Sequence, residues 1–172
     1  LEASNQFSAI VTEDGKLYLW GNTNMADIKI SSKYKNADNI DKVALTDNEY
    51  IVLLKDGTVA YIGTKSKDSP FAKIPEGLTG KKVIDIAATR KTVLAVTEDG
   101  EIFVWGNALK GEANVPALES KPVKVYGGGY HYTAQLEDGS IVSWGDNKYR
   151  QVNVPDSLQN KDIEHLFVAN YQ

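Results

Sequence analysis

Apolar residues in this sequence fall into short runs separated by turn residues, a pattern typical of β-strands. Four of these runs end close to an Asp-Gly pair, and a second apolar run follows each pair; the first runs cover Phe7–Val11, Tyr50–Leu54, Thr92–Val96 and Tyr132–Leu136. Asp-Gly between two strand-forming runs is a strong hairpin signal, because glycine adopts positive φ angles without steric cost. The pattern therefore predicts four β-hairpins.

The hairpins belong to a longer repeat, Asp-Gly-x-apolar-x-x-Trp-Gly. It begins at Asp14, Asp56, Asp99 and Asp138 and so recurs every 39 to 43 residues. Three copies carry a tryptophan near their end (Trp20, Trp105 and Trp144), whereas the second copy has Ile62 there. In-phase repetition over the whole chain indicates a repeat protein. We expect a single domain, 1–172, with repeats at about 1–39, 40–82, 83–122 and 123–162 and the start of a fifth at 163–172.

Each repeat contains two further extended segments. An apolar run precedes the hairpin, as in Val83–Ala88 and 123–126, and a segment ending in proline follows it, as in 73–75, 114–116 and 153–155; in the first repeat, 27–31 takes that place. Proline is tolerated at a sheet edge, where its missing N–H costs no ladder bond. Each repeat is therefore predicted to form a four-stranded antiparallel sheet with the proline segment as its outer edge.

The strands also indicate how the sheets are arranged. Runs such as 102–105 are apolar at consecutive positions, which favours a sheet covered on both faces. Small covered sheets that repeat about every 40 residues are typical of β-propeller blades. The small residues at 87–88 and 127–129 suit the crowded strand next to the axis, and the three tryptophans suit wedges between blades. We predict an all-β fold of propeller blades.

The units resemble regulator-of-chromosome-condensation (RCC1-like) repeats, whose pattern is a small-residue strand, His-x-x-Ala-Leu, Asp-Gly and Trp-Gly. The fullest match is 127–139 followed by 144–147, and the other copies lack the histidine of His131. The short period and the Asn-Val-Pro segments resemble the compact bacterial type, which includes the propeller-type β-lactamase inhibitory protein. This resemblance implies protein–protein recognition and a secreted or cell-surface setting, with a cytoplasmic one as the alternative.

The number of blades leaves three interpretations open. The resemblance implies seven-bladed rings, whereas the sequence has four repeats, and residues 166–172 align with 1–7. The chain is a partial propeller from a longer protein, an arc completed by a second chain in a homodimer, or a small four-bladed ring. Exposed blade faces in an open arc would favour self-association.

Composition excludes several classes of function. Nineteen basic and twenty-three acidic residues give a net charge of −4, which argues against a generic nucleic-acid binder and a polybasic membrane-surface protein. No apolar run approaches the roughly 18 residues of a membrane helix. There is no cysteine, so disulfides and thiolate sites are excluded.

Catalytic chemistry is not indicated. The recurring aspartates are turn residues, and no nucleophile is paired with a base. His131 is expected to be structural, with a catalytic or ligand role as the alternative, and His165 is expected at the surface. We therefore predict no catalytic residues, no metal site, no cofactor and no enzyme activity.

Candidate binding residues lie in loops that the predicted topology brings to one rim of the disc. Aromatic side chains and arginine are enriched at protein interfaces, and those at the predicted rim are Phe7, Tyr50, Arg90, Tyr130, His131, Tyr132, Tyr149, Arg150 and Tyr171. The alternative is that these are ordinary loop residues, with Phe7, Tyr50 and Tyr132 turned inward.

The sequence thus predicts a non-enzymatic protein-binding β-propeller scaffold that presents a loop rim to a protein partner. A bacterial surface or secreted module is the setting that the resemblance implies. Two alternatives remain: a self-assembling architectural module and a β-lactamase inhibitor-like protein. Neither nucleic-acid binding nor membrane insertion is expected.

Overall fold

The computed structural model describes residues 1–26, 28–64, 68–159 and 161–170, and these form four antiparallel sheets of three strands each. Each sheet is one blade, and its strands are adjacent in chain order. Blades 1 and 2 contain β1 (Glu2–Ala3), β2 (Phe7–Val11), β3 (Leu17–Gly21), β4 (Ile40–Leu45), β5 (Tyr50–Leu54) and β6 (Val59–Ala60). Blades 3 and 4 contain β7 (Val83–Ala88), β8 (Thr92–Thr97), β9 (Ile102–Gly106), β10 (Pro122–Gly127), β11 (His131–Leu136) and β12 (Ile141–Gly145).

The predicted hairpins are present. β2 and β5 have the predicted bounds, and β8 and β11 are each one residue longer. The four glycines of the Asp-Gly turns have φ angles of 78° to 89°, as the turn interpretation requires. Short 3₁₀ turns lie between the strands, at Ser32–Tyr34, Pro70–Ala72, Glu76–Leu78 and Asp156–Leu158.

Successive blades pack face to face through three hydrophobic clusters. Alternate residues of each second strand point to opposite faces, so one set meets the preceding blade and the other meets the following blade. The pairs of sets in contact are Phe7 and Ala9 with Tyr50 and Val52; Ile51 and Leu53 with Val93 and Ala95; and Leu94 and Val96 with Tyr132 and Ala134. The chain is therefore an all-β, partial β-propeller, as predicted.

The structure corrects the prediction of four strands per blade, because each described sheet has three. The segments that end in Pro75, Pro116 and Pro155 form no ladder. Ile74 and Val115 instead pack their side chains against the inter-blade clusters. Burial of side chains thus holds the segments that end in Pro75 and Pro116, and proline cannot donate a ladder hydrogen bond. Of the corresponding segment 27–31 in blade 1, residue 27 lies outside the described residues.

The first strands of the blades surround the axis. Together with residues 166–170 they line a cavity of about 550 Å³. The predicted small residues are there: Ala87, Ala88, Gly127 and Gly128 line the cavity. A Cβ atom on Gly127 would lie 1.8 Å from the Ala88 carbonyl oxygen, so the contact between blades 3 and 4 requires glycine.

A polar link joins three blades beside the axis. The Asp85 carboxylate of blade 3 accepts a hydrogen bond from Lys42 Nζ of blade 2 at 2.5 Å. Its second oxygen accepts one from the Val125 backbone N–H of blade 4 at 2.9 Å. Asp85 is buried, and these partners supply the hydrogen bonds that water would otherwise provide.

Candidate protein-binding rim

Two sets of loops meet on one rim of the disc, as the antiparallel topology predicts. The loops between first and second strands bond to the loops that follow the third strands. The backbone N–H groups of Asn22, Asn107 and Asp146 donate to the carbonyls of Gln6, Lys91 and Tyr130 at 2.8 to 2.9 Å. We call this surface the loop rim; it is the face formed by 4–7, 22–26, 46–49, 89–91, 107–112, 128–131 and 146–151.

Asp47 organises the centre of the loop rim. Its buried carboxylate accepts hydrogen bonds from Arg90 Nε at 3.0 and 3.1 Å and from Asn5 Nδ2 at 3.4 Å. Lys91 Nζ lies 3.4 Å from the same carboxylate. The Arg90 guanidinium also lies over the Tyr130 ring, 5.7 Å from its centroid. Arg90 and Tyr130 are therefore held as an ordered cation–π pair at the surface.

Backbone hydrogen bonds connect the same loops from blade to blade. The Asp47 N–H donates to the Arg90 carbonyl, the Arg90 N–H to the Gly129 carbonyl, and the Gly129 N–H to the Asn170 carbonyl, each at 3.0 Å. Asn170 Nδ2 then lies 3.4 Å from Asn5 Oδ1. These hydrogen bonds link the loops of successive blades, so the loops that form the loop rim are fixed relative to one another.

Three loops of the rim each expose one large apolar side chain. Met25, Leu109 and Tyr149 follow the third strands of blades 1, 3 and 4 and are 56%, 72% and 57% exposed. Beside Tyr149, Arg150 has a φ of 62°, in the left-handed region that favours glycine. Positive φ is uncommon for a residue other than glycine, and Arg150 lies in the turn that follows β12.

Four of the candidate residues lie in the core. Phe7, Tyr50, His131 and Tyr132 are at most 3% exposed. The Phe7 and Tyr50 rings pack edge to face at 6.4 Å, and the Tyr50 hydroxyl donates to the Lys29 carbonyl. These side chains stabilise blade packing and are not available at the surface, which agrees with the inward alternative for the three aromatic residues.

The buried hydroxyl of Tyr132 has a hydrogen-bonding partner in the core. Its hydroxyl lies 2.7 Å from Thr92 Oγ1, across the interface between blades 3 and 4. Burial raises the pKa of the Tyr132 phenol far above its ordinary value. The phenol therefore stays protonated and acts as a structural hydrogen-bonding group. Of the other candidates, Arg90, Tyr130, Tyr149 and Arg150 reach the surface, and Tyr171 lies outside the described residues.

The two histidines differ in environment. His131 is buried, and burial lowers the pKa of its imidazole while the Asp146 carboxylate opposes the shift. Among the described residues, His131 Nδ1 has no hydrogen-bond partner. The His165 side chain is 73% exposed, as predicted. In the described part of the chain, no three acidic or histidine side chains group together as metal ligands, and no helix is long and apolar enough to cross a membrane.

Sequence reasoning missed Met25 and Leu109 as individual candidates. Each is a single large apolar residue in an otherwise polar loop, and each lies outside the repeat register. Methionine is among the residue types enriched at protein interfaces, so the position of Met25 is a usable signal.

Comparisons with known proteins agree with this fold. No protein-family model matches the chain. Mouse E3 ubiquitin-protein ligase HERC2 is 33% identical over 117 residues, which cover 56% of this chain and 2% of that protein. The mitochondrial RCC1 domain-containing protein RUG3 of Arabidopsis thaliana is 32% identical over 89 residues, or 48% of this chain and 20% of that protein. The chain thus spans a small part of the length of these relatives.

Solved structures give the same answer for the fold. The ectodomain of the Physcomitrella patens receptor kinase CR4 matches with a TM-score of 0.70 at 17% identity, over 96% of this chain and 45% of that one. Yeast RCC1 (Prp20), solved bound to Kap60, matches with a TM-score of 0.67 at 18% identity, over 90% and 45%. The relatives of this chain are thus RCC1-repeat proteins, and its structural neighbours include RCC1 propellers.

Proposed function

We propose that this chain is a non-enzymatic propeller scaffold that binds a protein partner on its loop rim. The observation that carries the proposal is the set of exposed apolar side chains, Met25, Leu109 and Tyr149, on a frame that also presents Arg90 and Tyr130. Aromatic side chains, methionine and arginine are enriched at protein interfaces, which have a polar rim.

Two solved structures of one neighbour, yeast RCC1 (Prp20), support protein binding as the function. The structure of Prp20p from Saccharomyces cerevisiae was described together with its binding to Gsp1p and histones, and yeast RCC1 was solved bound to Kap60. At 17% and 18% identity in the two structures, this neighbour shares the fold with our chain. The type of partner, rather than its identity, is what we carry over.

Rim variants test the proposal. Partners that co-purify from the source cells are identified by mass spectrometry, and the affinity of the purified pair is then measured. We expect Tyr149→Ala and Leu109→Ala each to weaken binding about tenfold, because each removes exposed apolar surface that the partner would bury. Leu158→Ala is the control, because Leu158 is exposed but lies outside the loop rim. Equal affinities for all three variants would contradict the rim as the binding surface.

A bacterial surface or secreted setting, and a role as a β-lactamase inhibitor, are finer versions of this proposal. They are supported by the compact period and the Asn-Val-Pro segments at 114–116 and 153–155. The inhibitor version is tested by titrating the folded chain against several class A β-lactamases. Full enzyme activity at micromolar concentrations of the chain would remove it.

Self-assembly is a second candidate function, and one observation favours it. Blade 1 exposes an apolar sheet face that blades 3 and 4 bury against their neighbours, with Tyr18 and Trp20 about half exposed. Exposed faces of this kind in a repeat protein promote association.

A further inference from the structure

The two halves of the loop rim carry opposite charge. The rim loops of blades 1 and 2 contain two acidic and no basic residues, whereas those of blades 3 and 4 contain five basic and two acidic residues. This excess of basic residues occurs in a chain whose net charge is −4. We call the second surface the basic half of the loop rim; it consists of 89–91, 107–112, 128–131 and 146–151.

The two acidic residues of the basic half are wholly or partly withdrawn from solvent. Glu112 is buried, and its carboxylate accepts a hydrogen bond from the Lys110 backbone N–H at 2.6 Å. Asp146 is half-buried and accepts one from Gln151 Nε2 at 3.3 Å. Within the described ranges, no carboxylate forms an ion pair with Lys110 or Lys148. The ammonium groups of these exposed lysines are therefore available to an acidic partner.

Apolar and basic side chains exchange places between the two loops that follow β9 and β12. Counted from the Trp-Gly pairs at 105–106 and 144–145, positions 109 and 110 correspond to 148 and 149. Leu109 and Lys110 in blade 3 therefore correspond to Lys148 and Tyr149 in blade 4, and all four residues are exposed. Blade 3 is covered on both sides and still exposes its two residues. These positions of the repeat thus point away from neighbouring blades.

The same two loops lie next to each other and are ordered. The Glu112 carbonyl accepts the Trp144 indole N–H at 2.9 Å, which joins the first loop to the strand that leads into the second. In the second loop the Tyr149 N–H donates to Gln151 Oε1 at 2.8 Å, and Lys148 Nζ lies 5.3 Å from the centroid of the Tyr149 ring. Loops that are ordered before binding lose less conformational entropy when a partner docks.

From this arrangement we infer that the basic half of the loop rim binds an acidic protein segment that also carries apolar or aromatic side chains. The carboxylates of the segment meet Lys110 and Lys148, and its apolar side chains pack on Leu109 and Tyr149. Complementary charge of this kind steers association and selects between partners. An acidic partner deepens the proposed protein-binding function and rests on it.

Exposed apolar surface among the lysines favours a protein segment over a nucleic acid. Affinity for nucleic acids comes mainly from basic residues that neutralise phosphates. Here the basic residues are interleaved with Leu109, which is 72% exposed, and Tyr149, which is 57% exposed. The acidic residues Asp47 and Glu49 lie on the other half of the same rim, where they oppose binding of an extended polyanion.

Selection from a displayed library of short random peptides tests the class of partner. The chain is immobilised, and the peptides that it retains are sequenced. We expect them to be enriched in aspartate and glutamate beside leucine, phenylalanine or tryptophan. The peptide that binds best is then synthesised with a fluorescent label, and its Kd is measured by anisotropy. Lys148→Glu should raise this Kd about tenfold, because it places a carboxylate opposite those of the peptide.

Lys33→Glu is the matched control for Lys148→Glu. Lys33 Nζ lies 5.2 Å from the centroid of the Tyr34 ring, much as Lys148 lies over Tyr149. Both lysines are exposed, and Lys33 lies in the 3₁₀ turn between blades 1 and 2, outside the loop rim. The two variants change the net charge equally, so Lys33→Glu should leave the peptide Kd close to that of the wild type. Circular dichroism should be unchanged for both.

The outcomes distinguish the acidic partner from the wider proposal of a binding rim. Selected peptides without enrichment in acidic residues would overturn the acidic partner. If Tyr149→Ala and Leu109→Ala still weakened binding of such peptides, the rim would stand as a protein-binding surface. Equal effects of Lys148→Glu and Lys33→Glu would overturn the assignment to the basic half.

Labelled single-stranded DNA in the same assay tests the alternative occupant. We expect the DNA to bind more weakly than the selected peptide. Tighter binding of the DNA, together with its loss in Lys148→Glu, would make the basic half a nucleic-acid surface and overturn the acidic protein segment.

Discussion

His131 is an uncharged histidine held inside blade 4. A Cβ atom on Gly128 would lie 2.2 Å from His131 Cε1, so the imidazole fills the space that glycine leaves. Burial lowers the pKa of His131, because the cation would lose hydration in a position where Nδ1 has no hydrogen-bond partner among the described residues. In blade 4 this histidine is therefore a packing residue.

The lowered pKa of His131 predicts a loss of stability in acid. In the unfolded chain the imidazole titrates near pH 6.5, whereas the folded protein keeps it neutral to a lower pH. As the pH falls below about 6.5, the unfolded state binds more protons and the free energy of unfolding decreases, by at most about 1.4 kcal/mol per pH unit. Urea denaturation at pH 5, 6 and 7 measures this slope.

The control for this prediction is His131→Gln, which cannot titrate. We expect its stability to depend less on pH over the same interval. Parallel pH profiles for the two proteins would show that His131 does not carry the effect.

The inter-blade tryptophans differ in the bond that each indole makes. Trp144→Phe removes a 2.9 Å hydrogen bond to a buried carbonyl, and we expect the free energy of unfolding to fall by about 1 to 3 kcal/mol. Trp105→Phe removes the same ring volume but a bond of 3.3 Å, so its loss should be smaller. Chemical denaturation of both variants gives the comparison; a larger loss for Trp105→Phe would contradict it.

At the scale of elements, first strands are joined to one another by polar groups as well as by packing. Asp85 on β7 binds Lys42 on β4 and the backbone of Val125 on β10. One carboxylate thus connects three strands that belong to different sheets. These bonds help to fix the spacing of the blades, because the four sheets of the described residues are separate from one another.

Asp85 variants should therefore loosen the inter-blade contacts. Asp85→Ala leaves the Val125 N–H without its acceptor, and we expect a loss of about 2 to 3 kcal/mol in the free energy of unfolding. Asp85→Asn keeps an acceptor oxygen and should lose less. Asp41→Ala, at an exposed position of β4, should be close to the wild type in thermal denaturation; a similar loss at Asp41 would point to a general charge effect.

At the scale of the whole molecule, stability should vary from blade to blade. Blade 3 is covered on both sides, and all six residues of β8 are buried, whereas β3 of blade 1 exposes Tyr18 and Trp20. In repeat proteins each unit is stabilised by its neighbours, so an end blade opens at lower cost.

Hydrogen exchange measures this gradient. At concentrations where the chain is monomeric, we expect the amides of Leu94–Val96 to exchange much more slowly than those of Tyr18–Trp20. Equal protection in both segments would mean that the four blades unfold as a single unit.

The sequence alone determined the repeat, the hairpins and the propeller blades. The reason is that Asp-Gly turns and apolar periodicity are local features of the sequence. Each of the four repeats therefore carries the signals for its own strands. The turn glycines at 15, 57, 100 and 139 have the expected positive φ angles, and the small residues at 87–88 and 127–128 line the axis. The loops were also assigned to one rim from strand order alone.

The tertiary structure determines which segments pair as strands and which side chains are buried, and the local sequence pattern does not specify these features. The proline segments 73–75, 114–116 and 153–155 form no fourth strand, and Ile74 and Val115 instead pack their side chains against the inter-blade clusters. Phe7, Tyr50 and Tyr132 are core residues, while Met25 and Leu109 are exposed. An aromatic residue at a strand end faces either a neighbouring blade or solvent, depending on how the blades pack. Blade packing brings together residues about 40 positions apart, so a local sequence pattern does not specify it.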